Sequence, residues 1–142
     1  SLAINEKEHQ HVASLLQIVS DIERISDYCE NISEYAENLA NQKKKFSGVG
    51  AAEMKEMLEV CSDSFTYAVE AFEENSAEKA LKVIEKERSA DDLEIRLRAD
   101  HMQRLANKQC DTEAGIVFLD ALVGLERISD HSRNIAEEVL AE

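Results

Sequence analysis

The feature that most constrains the fold is the near absence of helix-breaking residues. The chain has 142 residues, yet it contains no proline and only four glycines. These are the two least favourable residues in a helix interior, and a domain of this length ordinarily carries several of each. Aromatic residues make up only 5% of the chain, which disfavours pleated sheet. We therefore predict an all-α domain made of long helices.

Apolar residues recur three and four positions apart in four segments, which predicts four helices. The first is expected to be about 38 residues long and to end in the lysines at 43–45. Ser47, Gly48 and Gly50 are expected to form the first loop, and Asn75 is expected to open the third helix as part of a capping box with Glu78. Helices joined by such short loops pack antiparallel, so we predict an antiparallel bundle of four long helices.

The spacing also predicts which side chains face the core. For the third and fourth helices these are Leu81, Ile84, Ile95, Met102 and Leu105, followed by Phe118, Leu122, Leu125, Ile128, Ile135 and Val139.

Charge and cysteine usage restrict the partners of the chain. A net charge of −14 argues against binding the nucleic-acid backbone or an anionic membrane, and it favours cations instead. Cys29, Cys61 and Cys110 are odd in number and far apart, which indicates neither a disulfide framework nor a thiolate metal site. No stretch of 18 apolar residues and no signal peptide is visible, so we expect a soluble protein in a reducing compartment.

One acidic motif occurs twice, 103 residues apart. Residues 21–34 read DIERISDYCENISE and residues 124–137 read GLERISDHSRNIAE, with eight of fourteen positions identical. Four of the identical positions are acidic or amide residues, which packing alone has no reason to repeat. In the two copies these are Glu23, Asp27, Asn31 and Glu34, and Glu126, Asp130, Asn134 and Glu137.

On a helix the four polar residues of each copy fall within an arc of about 80°, nearly opposite the isoleucines. They predict an outward-facing column of oxygen atoms. In the first copy, Val12, Leu16 and Val19 lie below the column on the same face. A single Glu-x-x-x-Asp spacing is most often a solvated surface, but its repetition in matched context favours a cation site.

A third Glu-x-x-x-Asp spacing, formed by Glu87 and Asp91, lies on the third helix, with Glu94 close to the same arc. The candidate metal ligands are therefore three pairs of carboxylates: Glu23 and Asp27, Glu87 and Asp91, and Glu126 and Asp130. We expect Glu87 and Asp91 to assist Glu126 and Asp130 at one site. Oxygen ligands suit a hard or borderline cation, namely iron, zinc, manganese, magnesium or calcium. His131 is a further candidate because it is adjacent to Asp130.

At these residues the chain resembles the PhoU family of phosphate-uptake regulators, whose repeats carry Glu-Arg-Ile-Gly/Ser-Asp followed by Asn-Ile-Ala-Glu. The resemblance implies three-helix repeats and multinuclear metal clusters bound by acidic motifs. Residues 1–46 would then be the last helix of a first repeat, and residues 47–142 a complete second repeat.

The resemblance also implies a function. The main interpretation is a metal-binding regulatory domain of phosphate transport, specifically the cytoplasmic C-terminal part of a sodium/phosphate cotransporter, with that transporter's membrane domain as a partner. The alternative is a free-standing PhoU-type regulator. Neither is an enzyme, and a carboxylate-bridged di-metal enzyme or a structural helical spacer are the remaining alternatives. Because the face with Val12, Leu16 and Val19 lacks covering helices, we also predict a homodimer.

Overall fold

The computed structural model describes the backbone of residues 2–142 and the side chains from residue 5 onward. It contains four helices, α1 (Leu2–Asn41), α2 (Gly48–Glu74), α3 (Ala77–Ala106) and α4 (Thr112–Ala141), each antiparallel to the next along the chain. The predicted all-α fold, an antiparallel bundle of four long helices with short connections, is confirmed.

The caps correct two local predictions. The hydroxyl of Ser47 accepts the backbone N–H of Gly50 at 3.0 Å and caps α2, so Gly48 and Gly50 lie in its first turn rather than in a loop. Asn75 ends α2 with a left-handed backbone (φ 50°) instead of opening α3. The cap of α3 is Ser76, whose hydroxyl accepts a backbone N–H three residues later at 3.2 Å.

The fourth helix is the central helix of the bundle. Within the described residues, α4 contacts all three other helices, α2 and α3 also contact each other, and α1 contacts α4 alone. Every core position predicted for α4 is buried. Ile18 and Ile25 bring α1 into the same core. The molecule is therefore a three-helix unit, α2 to α4, with a long first helix laid along α4.

Of the five core positions predicted for α3, three are wrong, whereas Ile84 and Leu105 are half-buried. Leu81, Ile95 and Met102 are 57%, 65% and 52% exposed. The buried face of α3 is displaced by one residue from the predicted face, which is about 100° around the helix. It consists of Ala80, Val83, Glu87, Ala90, Leu93, Glu94, Leu97 and His101. Small and ionisable residues fill several of these positions, so the pattern of large apolar residues indicated the wrong side. Two carboxylates consequently lie at the packed surface.

Over the part of the chain that the structure describes, no helix has both the length and the apolar character needed to cross a bilayer.

Candidate metal centre

Three carboxylates converge where α3 packs against α4. Glu87 and Asp91 are one turn apart on α3, and Asp130 approaches them from α4. One carboxylate oxygen from each residue lies within 4.8 Å of the other two. Glu87 is buried, and the other two side chains are half-buried. A cation placed between them would have ligands from two helices, so its binding would also hold those helices together.

Two further carboxylates border this group. Glu126 lies one turn before Asp130 on α4 and is half-buried. Burial raises its pKa, and the charges of Asp130, Glu94 and Asp91 raise it further, which places Glu126 in the same electrostatic field. Glu94 is buried on α3 and forms an ion pair with Arg98, whose Nε donates at 2.6 Å. The sequence placed Glu94 near this arc but did not assign it a role.

The electrostatics of the site disfavour the simultaneous ionisation of its acids. Burial raises the pKa of Glu87, and the neighbouring Asp91 raises it further. Burial likewise raises the pKa of Asp130, again with Asp91 as the largest charge acting in the same direction. Carboxylates with raised pKa values lower the stability of the folded state at neutral pH, and either protons or a cation relieve this repulsion. The cluster therefore has the charge distribution that a cation site requires.

Arg133 compensates part of the negative charge. Its Nη1 lies 3.4 Å from Oε2 of Glu87, and its Nε donates to Glu137 at 2.9 Å. The side chain is 44% exposed, so this contact with Glu87 is only partly protected from solvent. One guanidinium shared between Glu87 and Glu137 offsets only part of the negative charge of the cluster.

Cys61 lies in the core close to the acids but does not extend the ligand set. Burial raises the pKa of its thiol to about 12, and the charges of Asp130 and Glu126 act in the same direction. The thiol donates to the carbonyl of Leu125 at 3.2 Å. A thiol with this pKa stays protonated at neutral pH, whereas metals bind the thiolate. The available donors are thus oxygen atoms, which suits hard or borderline cations.

The first copy of the motif has no comparable surroundings. Glu23 and Asp27 are exposed on the side of α1 that faces away from α4. Within the described residues, neither belongs to a group of three potential ligands. The structure thus brings together Glu87, Asp91 and Asp130 with Glu126 beside them, and it leaves Glu23 and Asp27 by themselves.

A buried carboxylate that the sequence pattern was not taken to predict lies between α1 and α4. Asp21 is 2% exposed, and it accepts hydrogen bonds from Nδ1 of His131 at 2.8 Å and from Nδ2 of Asn134 at 3.2 Å. Asn134, predicted to join the outward column, points at this interface instead. The signal was present in the spacing, because residue 21 follows Ile18 by three positions and precedes Ile25 by four.

Comparison with known proteins adds the family context. The PhoU domain family matches residues 2–36 and 54–139. A relative from Thermotoga maritima, the phosphate-specific transport system accessory protein PhoU homolog 1, is 29% identical over 138 residues, which cover 94% of this chain and 57% of the relative. The crystal structure of PhoU from Pseudomonas aeruginosa superposes with a TM-score of 0.86 at 25% identity, covering 94% of this chain and 63% of that one. The chain thus spans less than two thirds of each of these proteins.

Proposed function

The chain belongs to the PhoU domain family, and on that premise we propose that it is a metal-binding regulatory module of phosphate transport. The observation that carries the metal-binding part is the convergence of Glu87, Asp91 and Asp130 within 4.8 Å across two helices. Like charges held this close favour a counter-ion, and the basic side chains that act on them offset the charge only in part: Arg133 contacts Glu87 and is 44% exposed, and Arg127 acts on Asp130 and Glu126.

The relatives help to decide between the two regulatory functions considered from the sequence. The matches are to PhoU proteins, and they favour a PhoU-type phosphate-uptake regulator over the C-terminal domain of a sodium/phosphate cotransporter. We accordingly assign the regulator role, at the cytoplasmic side of the membrane, with a membrane phosphate transporter as the partner. In this proposal the bound cation sets the packing of α3 against α4, and the partner contacts the surface so formed.

Further predicted ligands lie outside the central group of Glu87, Asp91 and Asp130. Glu126 is the next ligand, since it shares the electrostatic field of Asp130 and Asp91. Glu23 and Asp27 form a second pair, whose use as a site requires ligands from outside α1. The cation is one of iron, zinc, manganese, magnesium and calcium, all compatible with oxygen ligands.

Isothermal titration calorimetry of the purified chain with each of these ions tests the metal site. We expect saturable binding of at least one ion, and a loss of affinity of at least about tenfold in Asp130→Asn and Glu87→Gln. Glu34→Gln is the matched control, because Glu34 occupies an exposed position in the first motif. Equal binding by all four proteins would refute the site.

A cellular assay tests the regulatory role separately. Bacteria deprived of their own phosphate-uptake regulator are supplied with this chain, and phosphate uptake is measured under phosphate-rich and phosphate-poor conditions. We expect the chain to restore the difference between the two conditions, and Asp130→Asn to restore it less. Ion binding in calorimetry without any effect on uptake would contradict the regulatory role while leaving the metal site in place.

A further inference from the structure

One arginine connects the carboxylate cluster to the exposed surface of α4. Arg133 follows Asp130 by three residues, so it lies one turn further along the same side of the helix. Its Nη1 lies 3.4 Å from Oε2 of Glu87 on α3, and its Nε donates to Oε1 of Glu137 on α4 at 2.9 Å. Glu87 is buried, whereas Glu137 is exposed. The guanidinium therefore joins a carboxylate inside the cluster to one outside it.

The internal repeat indicates that this arginine belongs to the cluster. Position 133 corresponds to Glu30 in the first copy of the motif, where the side chain is exposed. The other arginine of the motif is present in both copies, as Arg24 and Arg127. Within the described residues, the copy with an arginine in place of the acid is the one whose carboxylates converge with those of α3. Its positive charge thus accompanies acids that the first copy does not bring together.

The contact with Glu87 is suited to exchange for another cation. The side chain of Arg133 is 44% exposed, and ion pairs of that exposure contribute little to stability, so breaking one costs little. The contact is also the longer of the two that Arg133 makes with carboxylates, and a different nitrogen atom forms each. The guanidinium can therefore lose Glu87 while it keeps Glu137.

We propose that Arg133 is the displaceable counter-ion of the cluster, which a multivalent cation releases from Glu87 while Glu137 retains it. The proposal rests on the metal site proposed above. In the ion-free protein the guanidinium keeps a positive charge against the buried acid, so it supports the packing of α3 on α4. The cation then has to compete with this charge. Arg133 accordingly lowers the affinity of the site, and Glu137 moderates that effect.

Titration calorimetry with manganese, zinc, magnesium, calcium and ferrous iron, each alone, tests the competition. We expect Arg133→Gln to bind at least one ion about three- to tenfold more tightly than the parent at low salt, because a positive charge beside the cation is removed. The gain should shrink at roughly 0.5 M sodium chloride, whereas a change in packing would persist.

Arg96→Gln is the matched control for this titration. Arg96 also forms an exposed ion pair between two helices, with Glu56 of α2 at 3.2 Å. It follows Glu87 by nine residues and so lies on the opposite side of α3. The chemical change is the same but the cluster is not contacted, so this variant should bind ions as the parent does.

Glu137 distinguishes the exchange from a general effect of charge. In the parent, Glu137→Gln should weaken ion binding about two- to threefold, because Glu87 becomes the remaining carboxylate partner of the guanidinium. In an Arg133→Gln background the same substitution should have a smaller effect, since no guanidinium is left to redirect. Arg127→Gln is the comparison, because Arg127 acts on Asp130 and Glu126 through its charge. Its effect should be the same with and without Glu137→Gln.

A measurement without metal tests the counter-ion role by itself. Urea denaturation in chelator at low salt should give an unfolding equilibrium constant about two- to fivefold higher for Arg133→Gln than for the parent, as expected for an ion pair of this exposure. In a Glu87→Gln background the same substitution should change it less, because the pair is already broken. Arg96→Gln should have equal effects in both backgrounds.

Three results would overturn the proposal. These are a parent that binds an ion no less tightly than Arg133→Gln, an effect of Glu137→Gln that is as large without the guanidinium as with it, and a loss of stability in Arg133→Gln that does not depend on Glu87. The first would leave the metal site in place, so only the role of Arg133 would fail. A parent that binds none of the ions would instead contradict the metal site and the competition with it, and the measurement in chelator would then decide the counter-ion role alone.

Discussion

At the scale of single residues, environment separates carboxylates that look alike in the sequence. Asp27 and Asp130 occupy equivalent positions in the two copies of the motif, yet one is exposed and the other is half-buried beside Asp91. The motif predicts which residue types are available as ligands. Only the packing of α3 on α4 decides that Asp130 meets other acids.

Asp130→Asn should stabilise the protein in the absence of divalent ions. Burial and Asp91 raise the pKa of Asp130, so removal of its charge relieves repulsion at neutral pH. We expect the free energy of unfolding in chelator to rise by a few tenths of a kcal/mol to about 1 kcal/mol, as for other like-charge pairs near a surface. Urea denaturation at low salt measures it. Asp27→Asn, at the equivalent exposed position, should change it less, and a destabilised Asp130→Asn would contradict the repulsion argument.

His101 should make stability depend on pH in the opposite sense from the acids. It is 3% exposed, its Nε2–H donates to the carbonyl of Gly115 at 3.0 Å, and its Nδ1 faces Arg104. Burial lowers its pKa, and the charge of Arg104 acts in the same direction against the opposing effect of the Gly115 bond. As the pH falls, His101 therefore becomes protonated in the unfolded chain before it does in the folded chain. The stability contributed by the neutral, buried His101 is fully present above about pH 6.5 and is lost as the pH falls.

The contribution of His101 is isolated by comparing unfolding free energies of the parent and His101→Asn at about pH 7.5 and about pH 5.5. The difference between the two proteins should shrink at the lower pH. Asn38→Ala, at an exposed position of α1 without an ionisable side chain, serves as the control and should keep a constant difference. A His101→Asn difference that grows on acidification would show that the histidine is charged in the folded state.

At the scale of elements, the sequence predicted helix number, approximate bounds and the core face of α4, because that helix is apolar around much of its circumference. It failed on α3, where Ala80, Ala90 and Glu87 occupy buried positions while Ile95 is exposed. Small residues permit close helix packing but carry little hydrophobic signal. The sequence did group Glu87 and Asp91 with Glu126 and Asp130, but it did not predict that Glu87 and Glu94 belong to the buried face of α3. The division into a first repeat ending at 46 and a second from 47 to 142 stays a prediction.

The attachment of α1 to α4 should depend on Asp21. Replacing this carboxylate by alanine leaves the donors of His131 and Asn134 without their partner in the interface. The loss of hydrogen bonds to two half-buried donors and the cavity left by the buried carboxylate predict a loss of about 2 to 3 kcal/mol of stability. Urea denaturation measures the loss, and hydrogen exchange should show faster exchange in α1 than in α2 or α3, because α1 packs on α4 alone. Asp27→Ala, at an exposed position further along α1, should change stability by no more than about 0.5 kcal/mol.

At the scale of the whole molecule, the excess of acids makes stability respond to the ionic environment. The chain carries 30 acidic and 16 basic residues, so any salt screens general repulsion to some extent. That screening acts over the entire surface and requires no particular geometry. We expect the carboxylates between α3 and α4 to add a local response that is specific for multivalent cations and confined to the folded state, because the three acids are brought within 4.8 Å only by the packing of the two helices.

A cation that binds this cluster should therefore raise the melting temperature at constant ionic strength. Mass action predicts about 2.7 kcal/mol of stabilisation when the free ion is at about 100 times its dissociation constant, if the unfolded chain does not bind it. For a domain of this length each kcal/mol corresponds to a shift of roughly 3 to 5 °C, so the total should be about 8 to 13 °C. Differential scanning calorimetry in manganese or magnesium, with sodium adjusted to keep the ionic strength constant, measures the part of the shift in melting temperature that is specific to the divalent ion. Glu87→Gln with Asp130→Asn should abolish that part and retain the response to sodium, because the rest of the acidic surface is unchanged. An equal shift in the parent and the double variant would assign the stabilisation to general screening and leave the cluster without a role as a metal centre.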